Sequence, residues 1–160
     1  MVKMEDLRSL MRDLGFTDTR TLLQSGNVVF SAEKGSHAEN ISKALRERHQ
    51  INTLVLVYTD SEWATFIKEN PMPKEAAAHP SRYLLCLAKT PFTHKGLETA
   101  TKHATHDEKV AVVGGRLYLS VPQGIGTSKM LASREWANYV SQGTMRNWNT
   151  VTKLAELAGL

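Results

Sequence analysis

The 160-residue chain carries 20 lysine and arginine residues against 16 aspartates and glutamates, a net charge of +4, with 41% hydrophobic and 22% charged residues. This is ordinary for a globular protein and allows one compact domain or two small fused ones. No apolar run nears the roughly 18 residues that span a bilayer, and the lone cysteine, Cys86, excludes an internal disulfide framework and fits a reducing cytoplasm.

The first segment, MVKMEDLRSL, is charged and helix-patterned, unlike a signal or transit peptide. Met4, Leu7, Leu10, Met11 and Leu14 recur at helical spacing, and Gly15 is a stop signal. TRTLLQ and NVVFSA read as strands joined by a hairpin turn at Ser25-Gly26. Ser36 and Glu39 have capping-box spacing ahead of a helix running to about His49, and NTLVLVY then reads as a buried strand. A second capping box, Thr59 to Glu62, opens a helix that Pro71 ends near Asn70. PMPKEAAAHPS reads as a connection between two halves.

The pattern then begins again. RYLLCLAK is a strand, LETATKHA a weak helix, and KVAVV with RLYLSV a hairpin about Gly114-Gly115. SKMLASREWANYV is a helix, followed by a short strand near Gly143 and a final helix. The expected fold is α+β, two ferredoxin-like (split β-α-β) halves, the N-terminal one lacking its first strand. Residues 1–58 form the first half, 59–80 the connecting helix and linker, and 81–160 the second half with the C-terminal helix. Without the first strand, NVVFSA and NTLVLVY must pair directly, or another segment or a partner chain must fill the gap. This makes a homodimer through the open sheet an expectation.

The positive charge is concentrated late. Residues 116–160 hold five basic side chains (Arg116, Lys129, Arg134, Arg146, Lys153) against Glu135 and Glu156, whereas the two earlier thirds are nearly balanced. Gly124, Ile125, Gly126, Thr127, Ser128 and Lys129 lie between a strand and a helix. There, backbone N–H groups and the helix N-terminus suit a phosphate or carboxylate. A tight turn with a helix cap explains the same residues, and the order required of a Walker A loop is absent. In GTMRNWNTVTKLAEL, Val151, Leu154, Ala155 and Ala158 mark one helical face, and Arg146, Asn149, Thr150 and Lys153 the other. Asn147 or Thr144 is a natural N-cap, and Trp148 suits the core.

The candidate ligand site therefore combines Gly124, Gly126, Thr127, Ser128 and Lys129 with Arg146, Asn147 and Asn149, for a phosphorylated or nucleotide-like anion. Gln24, Ser25, Gly26 and Asn27 form a secondary candidate that a plain turn also explains. His103 and His106 with Asp107 and Glu108 lack a converging ligand set, so no metal or other cofactor is expected. No catalytic constellation is visible. Phe30, Tyr83 and Tyr118 are single aromatics in strands, which gives nucleic-acid binding little support.

KMEDLRSLMRDLGF, TLLQSGNVVFS, the NP of KENPMP, VVGGRLYLSVPQGIGTSKM and TMRNWNTVTKLAEL occur in an order that resembles the domain-of-unknown-function 1697 family, found mostly in bacteria. QSGNVVF and RNWNTVTKL are the most specific of these motifs. The resemblance implies two ferredoxin-like halves and no established activity. Family members usually begin with a further strand and an Arg-Gly-Ile-Asn-Val-Gly-Gly loop before the first helix; a late start codon or a truncation would each account for its absence. Thr127 stands where the family commonly has arginine, which weakens the anion reading, and Leu22-Leu23 replaces its usual Tyr-Ile.

Overall fold

The computed structural model describes residues 2–22 and 26–160. The fold is α+β, with two separate antiparallel sheets, and the chain groups into two compact units. The first comprises Met1–Ala64 and Lys153–Leu160, the second Thr65–Thr152.

In the first unit, α1 (Met4–Asp13) buries Leu7, Leu10 and Met11. Its stop is a Schellman motif: Gly15, at φ 89°, donates to the Arg12 carbonyl, and the Phe16 N–H donates to that of Met11. β1 (Thr17–Leu22) and β2 (Asn27–Ser31) pair antiparallel as a two-stranded sheet. α2 (Ala38–His49) adds Ile41, Ala44 and Leu45 to a core shared with Phe16, and Val28, Phe30, Val55 and Val57 pack against it.

Two expectations fail here. The segment NTLVLVY, residues 52–58, belongs to neither sheet, although its valines reach the core, and Leu54 is 42% exposed. The Ser36–Glu39 capping box does not form either: α2 starts one residue later, with His37 at the N-cap and no side-chain cap bond. The His37 ring instead hydrogen-bonds the Glu33 carbonyl and meets Phe16 edge-on. The second capping box is present at the start of α3 (Asp60–Lys68). Glu62 accepts from the Thr59 N–H at 2.7 Å, and Thr59 Oγ1 accepts from the Glu62 N–H at 3.1 Å.

The second unit is built on a four-stranded sheet of β3 (Tyr83–Ala88), β4 (Lys109–Val113), β5 (Arg116–Ser120) and β6 (Gly143–Asn147) in the order β4-β5-β3-β6. Every neighbouring pair is antiparallel. The linker PMPKEAAAHPS contains a short helix, α4 (Pro73–Ala78), and a 3-10 turn. The weak helix shrinks to α5 (Leu97–Ala100). The expected helix SKMLASREWANYV is broken into α6 (Lys129–Ala132) and α7 (Arg134–Tyr139). The break is at Ser133, whose hydroxyl donates to the Met130 carbonyl and accepts from the Trp136 N–H, capping the second piece.

Both sheet faces are buried. Leu84 and Cys86 of β3 and Leu117 and Leu119 of β5 meet Ala100, Met130 and Trp136 from the three short helices. On the opposite face, Tyr83 and Tyr118 contact Trp148, the first residue of α8 (Trp148–Leu157). Each fully buried leucine contributes about 1.5–3 kcal/mol relative to exposure. In the Gly114-Gly115 turn, the second position leaves no choice of residue: a Cβ on Gly115 would sit 2.7 Å from Pro91 Cβ, and its φ is 80°.

Candidate functional site

The glycine loop begins where β5 ends. Gly124 takes φ 117°, and Thr127 Oγ1 donates to the Gln123 carbonyl at 3.1 Å. Ser128 caps α6 by accepting from the Leu131 N–H at 3.2 Å. The same hydroxyl donates to Glu108 Oε2 at 2.6 Å, and Gln123 Nε2 donates to Asp107 Oδ2 at 3.0 Å. Hydrogen bonds from Thr105 and then Gln123 hold the Asp107 carboxyl below its usual range. Two carboxylates thus engage the loop that the sequence assigns to an anion, and its hydroxyls serve the turn and the cap. α6 is a four-residue helix, so little dipole stands behind the loop. Gly126 and Lys129 are exposed.

Arg146 belongs to β6, not to the face of the final helix. It is paired with Leu85, and its neighbour Met145 packs on the Leu84–Cys86 face with Met130. Alternation therefore turns Arg146 to the opposite face of the sheet from α6. Its guanidinium is half-buried, donates to Thr144 Oγ1 at 2.7 Å and the Met145 carbonyl at 2.9 Å, and has its pKa pushed down by burial. Asn147 Oδ1 accepts from the Thr150 N–H at 3.0 Å, so this residue is the cap of α8. Asn149 is exposed. The loop and the end of β6 share one end of the sheet, but Arg146 and the helix that the loop opens lie on opposite faces.

In the secondary candidate, Gln24 and Ser25 lie outside the described residues. Gly26 has φ 68°, and Asn27 is buried at the start of β2. His103 Nε2 lies 3.6 Å from Glu135 Oε2, while Asp107 and Glu108 turn to the loop, so the two histidines and two acids do not converge. Among the described residues no group of three metal-ligating side chains is present. Tyr83 and Tyr118 are fully buried and offer no surface for stacking bases. Cys86 is equally buried, and burial pushes its thiol up to about 12, far from a nucleophile's range.

Several motif residues have structural work. Asn70 Oδ1 accepts from the Met72 N–H and from the Tyr83 hydroxyl. Arg116 pairs with Glu69, stacks 4.7 Å above the Phe66 ring, and donates to Tyr118 Oη, which itself donates to the Phe66 carbonyl.

Two features of the first unit remain. β2 has β1 on one side and no strand on the other among the described residues. Val28 and Phe30 face the core, which leaves Val29 on the other surface of the sheet. The second feature is a cleft of about 350 Å³ lined by Arg8, Arg12, Phe16, Thr17, Asp18 and Thr19. The four-residue spacing of Arg8 and Arg12 on the polar side of α1 is the sequence signal that marks it.

The sequence profile described as "Protein of unknown function (DUF1697)" matches residues 1–118. The chain belongs to the DUF1697 family. The match includes QSGNVVF and the Gly114-Gly115 turn and stops before the glycine loop and RNWNTVTKL. This DUF1697 chain is also similar in fold to a solved structure titled "The structure of conserved bacterial protein SP0830 from Streptococcus pneumoniae", at 14% identity and a TM-score of 0.73. The similarity covers 99% of this chain and 89% of that one. No curated protein matches the sequence. Among the described residues no helix is long and apolar enough to cross a membrane.

Proposed function

We propose that the protein is a self-associating module of the cytoplasm, in which the outer edge of β2 pairs with β2 of a second copy. The open edge carries this reading: β2 has one neighbour, and Thr53–Val57, the next apolar run in the chain, takes no part in a ladder among the described residues. An unpaired edge offers a row of N–H and C=O groups to another chain. NVVFS contains no charged residue, so two copies related by a two-fold axis oppose no like charges. The order β4-β5-β3-β6, with the unit's first and third strands central, supports a ferredoxin-like reading of the second unit. On that reading, the first unit is a half still short of one strand. The buried lone thiol suits a reducing compartment.

Light scattering over a wide concentration range tests the reading. The mass is expected to rise from monomer to dimer, with new hydrogen-exchange protection confined to β2. Val29→Lys, which places a charge on the solvent surface of the edge strand, is expected to hold the protein monomeric without lowering its melting temperature. A monomer at every concentration, or a dimer unaffected by Val29→Lys and unprotected at β2, overturns it.

A further inference from the structure

We propose that the cleft between α1 and the bulged start of β1 binds a small organic phosphate monoester, with Arg8 and Arg12 gripping the phosphate. The two arginines are four residues apart on one helix, so their guanidinium groups leave the same face. Both are exposed, and neither side chain forms an ion pair or hydrogen bond with a described residue. The acid in the cleft does not cancel them. Both oxygens of Asp18 accept from Arg20 Nη2, at 3.2 and 3.1 Å, and Arg20 is anchored in turn through Nη1 to the Leu157 carbonyl at 2.9 Å. Asp18 is thus balanced from outside the lining, which leaves two positive charges facing the cleft. Guanidinium groups bind phosphate through paired N–H donors, a geometry that single ammonium groups do not reproduce.

The strand opposite the arginines is built to open toward them. The ladder pairs Thr17 with Ser31 and then Arg20 with Val29, so Asp18 and Thr19 together face the single residue Phe30. This is a bulge, which releases backbone groups from the ladder and re-aims side chains. Asp18 adopts φ 50°, a left-handed conformation that non-glycine residues seldom take and that collects at binding sites. Thr17 and Thr19 belong to the same lining, and Phe16 supplies an apolar wall. The wall and a volume of about 350 Å³, within the range of small-ligand pockets, favour an ester over inorganic phosphate.

Titration of the full chain with adenosine monophosphate, ribose 5-phosphate, inorganic phosphate and adenosine, followed by amide and arginine side-chain NMR, tests the proposal. At least one of the two esters is expected to raise the melting temperature and to shift the Phe16–Thr19 amides and the Arg8 and Arg12 side chains. Inorganic phosphate is expected to bind more weakly and adenosine not at all. The double variant Arg8→Gln/Arg12→Gln is expected to weaken ester binding at least tenfold with an unchanged circular dichroism spectrum, whereas Lys129→Gln in the glycine loop leaves it unchanged. The assignment is overturned if neither ester shifts these signals, if adenosine binds as well as its phosphate, or if the double variant binds like the parent. Tighter binding of a single-stranded oligonucleotide than of either ester overturns the small-ligand assignment.

Discussion

YLLCLA and NTLVLVY are apolar runs of similar length and β-propensity, one in each unit. The first becomes β3, flanked by β5 and β6, with Tyr83 to Leu87 no more than 5% exposed. The second joins no sheet: its two valines touch the core, while Leu54 stays 42% exposed. The difference lies in the neighbours more than in the residues. β-propensity measures how well side chains fit a pleated, half-buried surface, and that surface exists only where adjacent strands supply it. A four-stranded sheet covered on both faces provides one. A two-stranded sheet with an open edge is marginal by itself and relies on the helices packed against it.

The sharpest way to break this contrast is to remove one aromatic anchor from each unit. Trp136 is 1% exposed under the four-stranded sheet, and Trp136→Ala is expected to cost about 3–5 kcal/mol in urea unfolding. Phe16, 9% exposed beside Phe30 and His37, anchors the smaller core, which has an open edge through which to relax. Phe16→Ala is expected at or below the lower end of the same range. Equal costs would mean that the first unit is packed as firmly as the second. Trp136→Phe refines the test: the Trp136 indole N–H is buried without a partner among the described residues, so phenylalanine removes an unsatisfied donor and offsets part of the lost volume.

Cys86 reports on the second unit alone, through pH. Burial raises its thiol pKa from the ordinary value near 9 to about 12. The folded state therefore holds its proton where the unfolded state has lost it. The stabilisation is fully present below pH 9 and is lost as pH rises through about 12. Stability is expected to drop by on the order of 1 kcal/mol at pH 10, one unit above the unfolded thiol's value. Cys86→Val is expected to remove that part of the slope. A thiol reagent should label Cys86 only when the four-stranded sheet opens. Labelling at the rate of opening of the first unit would erase the distinction between the two.

How much of this was legible follows the same division. The Gly15 stop, the Thr59–Glu62 capping box and the Gly114-Gly115 hairpin were readable, because each depends on residues close in sequence. The Ser133 break was not, since the apolar periodicity continues through it while one hydroxyl switches helices. The placement of Arg146 was not readable for a comparable reason. Arg146 has helical spacing with Asn149 and Lys153, yet the helix begins only at Trp148, and the strand register decides where Arg146 points. Asp107 and Glu108, remote from the glycine loop in sequence, occupy its polar groups. The cleft at Arg8 and Arg12 needed knowledge of the bulge opposite, which no local pattern announces.

The smallest effect tests the segment that looked most like a signature. Asn147 ends β6 in the second unit and caps α8, whose last residues, from Lys153, group with the first. If its role is the cap, Asn147→Ala leaves the Thr150 N–H without its acceptor and costs about 1 kcal/mol. Asn147→Ser should recover most of that loss, because a serine hydroxyl accepts the same bond. A ligand contact would behave differently: serine lacks the amide, so binding would stay impaired while stability returned. Paired measurements of melting temperature and phosphate-ester affinity on the two variants separate these cases. The geometry predicts that stability alone moves, since Asn147 belongs to the second unit and the cleft at Arg8 and Arg12 to the first.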